Sequence, residues 1–186
     1  MVKPIYKRVL LKLSGEALIG AKPSGFDPAV INQIADEIKE IHAAGVEIGI
    51  VIGGGNIFRG AAAEDLERAA GDTIGMLATT INSLVIKEYL VKRGVDARVL
   101  SAVDMPKVAE LFTQERALAH LDKNRIVIMA AGTGNPYFTT DTAAVLRCLE
   151  IKAEAILKAT KVDGVYDRDP AKDPSAVKFA SITHAE

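Results

Sequence analysis

The placement of glycine constrains this chain more than any other feature. Residues 6–13 form a short β-prone run that leads into Ser14-Gly15-Glu16, and residues 46–52 form another that ends directly in Gly53-Gly54-Gly55-Asn56. Residues 125–130, almost continuously apolar, break into Gly132-Thr133-Gly134-Asn135-Pro136, and residues 155–159 break into a polar stretch over 160–174. Helical patterns lie between these runs. Asp27-Pro28 supplies an N-cap and a first-turn proline, and Ile31, Ile34, Ile38 and Ile41 recur at three- and four-residue spacing up to Gly45. A long segment over 71–93, rich in Ala, Leu, Ile and Met, stops at Gly94 before a third β-prone run at 97–101. A further helical stretch falls within 108–121, and Thr140 or Asp141 is placed to cap a helix reaching about residue 150. Strands alternating with helices require right-handed crossovers. The pattern therefore predicts an α/β fold, a three-layer αβα sandwich around a largely parallel sheet of five strands.

In such sheets ligands collect at the carboxyl ends of the strands, which is where the special loops fall. Glycine lets backbone N–H groups approach an anion closely, and a helix beginning after the turn adds about half a positive charge, so this rim suits phosphate. The chain as a whole supplies no such field. Its 186 residues carry 23 Lys plus Arg against 24 Asp plus Glu, a net charge of −1, which argues against a nucleic-acid or anionic-membrane partner. With 49% hydrophobic residues it can bury a core without staples, and the single cysteine, Cys148, excludes an intrachain disulfide framework. One domain over residues 1–186 is expected. The N-terminal apolar run is interrupted at Lys12 and no continuous apolar run approaches the roughly 18 residues of a membrane span, so a cytoplasmic location is expected.

Two familiar phosphate motifs are absent. No glycine is followed by Lys and then Ser or Thr at the spacing of a Walker A loop, and Gly132-Thr-Gly-Asn-Pro-Tyr137 lacks the last glycine of a dinucleotide fingerprint. Lys12 is more informative. It interrupts Val9-Leu10-Leu11 and Leu13 at the end of the first strand, where a bare ammonium is costly to bury unless an anion meets it. Lys158, between Leu157 and Ala159, poses the same problem and suggests the same answer. Asp141 reads equally well as a helix cap or as a group that orients lysines or magnesium. His42, His120 and His184 show no ligand spacing, Cys148 reads as core, and Asp163, Asp167, Asp169 and Asp173 form an acidic stretch compatible either with plain solvated surface or with a place near a metal-bound nucleotide.

Taken in order, Lys12-Leu-Ser-Gly-Glu-Ala17, Ile52-Gly-Gly-Gly-Asn-Ile-Phe-Arg-Gly60, Gly71-Asp72, Met76-Leu-Ala78, Ala131-Gly-Thr-Gly-Asn-Pro-Tyr-Phe-Thr-Thr-Asp141 and Leu157-Lys-Ala-Thr-Lys-Val-Asp-Gly-Val165 closely resemble the bacterial uridylate (UMP) kinases of the amino-acid kinase superfamily. The resemblance implies an ATP:UMP phosphotransferase of pyrimidine nucleotide synthesis, working with magnesium carried mainly on the ATP phosphates. Residue by residue it implies that Lys12, Leu13, Ser14, Gly15, Gly55 and Arg59 line the ATP phosphates, while Thr160, Tyr166 and Asp169 border the ATP nucleoside. Gly54 and Asp72 would contact UMP, and Thr133, Gly134, Asn135, Pro136, Tyr137, Phe138, Thr139 and Thr140 would cradle it. Lys12 and Lys158 would stabilise the transferring phosphoryl group, with Asp141 organising them. The family further implies a homohexamer, with GTP as activator and UTP as inhibitor; the apolar helical segment over 71–93 reads equally well as a contact surface of such an assembly or as a helix buried within one subunit.

The chemistry agrees with the missing histidine. A phosphate monoester has a second pKa of about 6, so UMP is already mostly a dianion near neutral pH and needs no general base. Family members continue for several tens of residues beyond the equivalent of Glu186, so the resemblance implies a chain shortened at its C-terminus. Two rival readings share these loops: a kinase of the same fold acting on a carboxylate or carbamate, and a phosphate-binding protein without turnover.

Overall fold

In the computed structural model, which describes residues 4–58, 65–160 and 162–183, the expected alternation is present. The strands are β1 (Arg8–Leu13), β2 (Glu47–Ile52), β3 (Ala97–Ser101), β4 (Glu110–Leu111), β5 (Ile126–Ala130) and β6 (Ala155–Lys158). The helices are α1 (Pro28–Ala43), α2 (Arg68–Val91), α3 (Gln114–Leu121) and α4 (Thr140–Glu150). The strands form one sheet in the order β4-β3-β5-β2-β1-β6, and each neighbouring pair runs parallel. All carboxyl ends therefore open on one rim.

Period-two alternation divides the strands between two cores. Val9 and Leu13 of β1, Ile48, Ile50 and Ile52 of β2, and Ile126 and Ile128 of β5 pack with Ile31, Ala35 and Ile38 of α1 and with Ile86 and Leu90 of α2. Leu10, Val51, Val127 and Met129 point the other way, toward Ala117 and Leu121 of α3 and Ala144 and Cys148 of α4. Each fully buried side chain of this size contributes about 1.5–3 kcal/mol of transfer free energy, so both faces anchor the sheet. Gly49 is required for the second layer to close: a Cβ there would lie 2.5 Å from Ile151 Cδ1 and 3.0 Å from Met129 Cε.

Asp27 caps α1 as expected, its carboxylate accepting from Ala29 N at 2.9 Å with Pro28 following. Two expectations need correction. The sheet has a sixth strand, β4, whose two residues are too few for a period-two signal and which pairs with β3 at the edge. The cap of α4 is neither Thr140 nor Asp141 but Thr139, whose hydroxyl accepts from Thr142 N at 3.1 Å, leaving Asp141 inside the first turn and free to point elsewhere. By length and mean hydropathy α2 passes as a membrane-spanning helix, although no unbroken apolar run shows it, because Gly, Thr, Asn and Ser are interspersed along it. Its inner face packs on the sheet through Ile86 and Leu90, as a core helix does.

Candidate active site

β1 delivers Lys12 to the rim on the α4 side of the sheet, since it alternates with Leu11 and Leu13. The residue is 8% exposed, and its ammonium meets Asp141 Oδ1 at 2.8 Å. The costly burial anticipated for Lys12 is thus met by a carboxylate of this chain. Lys158, paired in register with Lys12 across β1 and β6, reaches the other oxygen, Oδ2, at 3.0 Å. The expectation that Lys158 is buried does not hold: its side chain is 52% exposed, because β6 is an edge strand rather than an interior one. The Lys12 ammonium holds the Asp141 carboxyl below the ordinary value of 3.8, partial burial opposes this, and Lys158 reinforces the lowering. One carboxylate therefore fixes two ammonium groups side by side.

Glycine loops surround this triad. Gly53 N donates to Leu13 O at 3.0 Å, which locks the end of β2 to the end of β1. The loops approach so closely that a Cβ on Gly15 would stand 2.4 Å from Gly53 O and 2.6 Å from Asn56 Oδ1. Ser14, before this turn, accepts from Glu16 N at 3.3 Å and caps the short 3-10 turn Gly15–Leu18. A Cβ on Gly54 would stand 2.8 Å from Ala78 Cβ, so α2 packs directly on this loop. After β5 the chain turns through Ala131, Gly132 and Gly134, all at positive φ, with Tyr137 also at +71°. A non-glycine residue there is strained. Asp72, near the start of α2, accepts from Tyr137 N at 2.7 Å and pairs with Arg68, and these two contacts keep its carboxyl ionised below the usual range.

Two pockets meet at the start of α4. One, of about 140 Å³, is lined by Gly54, Gly55, Asp72, Thr133, Asn135, Phe138, Thr139 and Thr140 together with Phe58, Met76 and Thr79. The other, of about 160 Å³, is lined by Lys12, Asp141, Lys158, Ala144, Val145 and Ile156. Thr140 faces the first and Asp141 the second, so one peptide step of the helix separates them. Arg147, buried in α4, donates to Gly132 O at 3.1 Å and stacks on Phe112, holding the helix against the glycine turn.

The structure thus gathers most of the residues singled out in the sequence. Gly134 sits just behind the first pocket against Ala102, and the side chain of Tyr137 is largely exposed. The side-chain hydrogen bonds of Thr160, Tyr166 and Asp169 run to Val162, Asp163 and Ala171, within their own segment rather than toward Lys12. Arg59 lies outside the described residues. The acidic stretch is paired: Asp163 with Lys178 and Tyr166, which bring it to about 2, and Asp167 and Asp173 with Arg168. Among the described residues no group of three or more His, Cys, Asp or Glu is placed to hold a metal ion. Thr79 and Asn82 were missed. Their signal was available: with Ser83, Ile86 and Leu90 they recur on the inner face of α2 as polar positions in an apolar stripe.

The sequence profile of the amino acid kinase family matches residues 7–186. The chain is 56% identical over 186 residues to a uridylate kinase of Brucella anthropi, covering 99% of this chain and 78% of that one. It is also 56% identical to a uridylate kinase of Mesorhizobium japonicum, over the whole chain and 78% of the relative. Among solved structures, UMP kinase from Bacillus anthracis superposes with a TM-score of 0.89 at 44% identity, over 93% of this chain and 72% of that one. UMP kinase from Ureaplasma parvum does so with 0.92 at 37%, over 96% and 77%.

Proposed function

This chain belongs to the amino acid kinase family, among its uridylate kinases, and we propose that it transfers the γ-phosphoryl group of ATP to UMP, giving UDP and ADP. The observation that carries the reading is the Lys12–Asp141–Lys158 triad, which lines one pocket directly beside a second, glycine-lined pocket at the carboxyl ends of parallel strands.

An oxygen of the UMP phosphate attacks the γ-phosphorus, the bond from that phosphorus to the β–γ bridging oxygen breaks, and ADP leaves with the electron pair. The acceptor needs no base, because its second pKa of about 6 leaves it mostly dianionic near neutral pH. What the reaction requires is in-line placement of two polyanions and cancellation of their repulsion. Lys12 and Lys158 supply adjacent positive charge, and Asp141 fixes where that charge lies. Backbone N–H groups of the glycine loops and the first turn of α4 add oriented dipoles aimed at phosphate. In this reading UMP occupies the pocket of Gly54, Asp72, Thr133, Asn135 and Thr140, and the ATP phosphates lie toward Lys12, Ser14, Gly15 and Gly55. In this reading magnesium enters with the substrate as MgATP, carried mainly on the ATP phosphates, where it would offset the charge of the transferring group.

The same reading places the enzyme in the cytoplasm, feeding UTP and CTP synthesis, with GTP as activator and UTP as inhibitor. It assembles as a homohexamer, which the exposed Ile74, Leu77 and Ile81 on the outer face of α2 support as a contact stripe. A coupled ADP-release assay with MgATP and each of UMP, CMP, AMP and GMP tests the assignment. Selective turnover of UMP is expected, with kcat reduced about 10²-fold or more in Lys12→Ala through lost charge stabilisation. Equal rates with all four acceptors, or full turnover in Lys12→Ala, would remove it. Rates that stay flat across GTP and UTP titrations would remove the regulatory part, and a monomer by light scattering at micromolar concentration the hexamer.

A further inference from the structure

Thr79 and Asn82 lie one turn apart on the buried face of α2, 4% and 0% exposed. Each reaches a different glycine loop. Asn82 Nδ2 donates to Gly53 O at 2.6 Å and to Asn56 Oδ1 at 2.7 Å, while its Oδ1 accepts from Asn56 Nδ2 at 3.0 Å. Asn56 Nδ2 also donates to Gly25 O at 3.2 Å, bringing the loop before α1 into the same network. Thr79 Oγ1 accepts from Ala131 N at 2.9 Å and donates to Met76 O at 2.7 Å. Ala131 is the positive-φ residue that opens the Gly132-Thr133-Gly134 turn. Between these two anchors, Ala78 abuts the Cα of Gly54.

We propose that Thr79 and Asn82 are positioning residues that set the spacing between the Gly53–Asn56 loop and the Ala131–Gly134 turn, and so the distance between the two phosphates that react. The proposal rests on the phosphotransfer reading above. Asn82 lines neither pocket of the site; Thr79 borders the first, but its hydroxyl is spent on Met76 O and Ala131 N, so both side chains act through the loops they hold. An α-helix is a stiff rod with a rise of about 1.5 Å per residue, so two side chains three residues apart hold their partners at a fixed interval. Polar groups buried this completely also make the arrangement single-valued, because an alternative register would leave them unpaired.

The test separates spacing from mere stability. Thr79→Val keeps the shape and removes the hydroxyl, Thr79→Ser keeps the hydroxyl, and Asn82→Leu removes the amide. A misplacement of about 1 Å between reacting groups costs on the order of 10²-fold. For Thr79→Val and Asn82→Leu, kcat per folded molecule is therefore expected to fall about 10- to 100-fold, with KM for UMP and ATP within about threefold and Thr79→Ser restoring most of kcat. Should Asn82→Leu fail to fold, the Thr79 pair decides alone. A normal kcat per folded molecule in Thr79→Val, a loss confined to KM, or no rescue by Thr79→Ser overturns the proposal while the kinase reading stands. An unaltered chain that turns over no UMP removes the kinase reading and the proposal together.

Discussion

At the scale of single residues, one carboxylate and two ammonium groups stand together at the strand ends. Asp141 is held ionised chiefly by Lys12, so its folded value lies below the unfolded 3.8. A depressed carboxylate contributes stability that is fully present above its unfolded pKa and lost as pH falls through the folded one. The acid-induced loss of stability below pH 3.8 is accordingly expected to shrink in Asp141→Asn, as read by urea unfolding at pH 3 to 7. Over pH 6 to 9 Asp141 stays ionised, and the activity profile should show no limb that disappears in this variant. Lys12 was legible from the sequence because an ammonium among Val9, Leu10, Leu11 and Leu13 needs an explanation. Lys158 sits in an equally apolar local run yet is half exposed, and only the strand order distinguishes the two.

At the scale of elements, close approach of backbone to backbone governs the site. Gly54 has no room for a side chain: its Cβ would lie 2.8 Å from Ala78 Cβ, 3.0 Å from Gly75 O and 3.2 Å from Thr79 N. Gly54→Ala is expected to push α2 from the β2 loop, costing about 1–3 kcal/mol and lowering kcat, whereas Gly45→Ala should cost stability through its positive φ alone and leave kcat per folded molecule unchanged. Chemical denaturation together with single-turnover rates distinguishes the two. Asp27→Ala, which removes the cap of α1, is expected to cost about 1 kcal/mol without a kinetic effect. Helices with a cap, a proline and a regular apolar stripe, such as α1, were readable directly. The polar anchors of α2 interrupt its apolar stripe visibly, but what they hold was not readable, since their partners lie in loops 29 and 52 residues away in the chain.

At the scale of the whole molecule, one side of the sandwich is left apolar. Val145, Leu146 and Leu149 on the outer face of α4 are 53%, 39% and 71% exposed, and Ile156 and Leu157 on the edge strand β6 are 38% and 42% exposed. A bare parallel edge beside an apolar helix face favours self-association. In the 186-residue chain, Leu149→Lys is expected to raise the concentration at which aggregation begins and to shift Tm by no more than about 2 °C, because so exposed a side chain loses little burial. Scattering against concentration, alongside a thermal melt, checks both halves.

The sequence alone determined the class of fold and the rim on which the glycine loops gather. Periodicity of two and of 3.6 is imposed by backbone geometry, and glycine after a strand marks a turn wherever the rest of the chain goes. It also determined which residues needed a partner, because an ammonium in an apolar run carries its desolvation cost in any arrangement. Tertiary structure decided which partner each one found. The pairing of Lys12 with Asp141, the exposure of Lys158 at the sheet edge, and the grip of Thr79 and Asn82 on two distant loops all follow from strand order and helix placement. These are long-range relations, fixed by how two cores pack on the faces of one sheet rather than by any local pattern of residues.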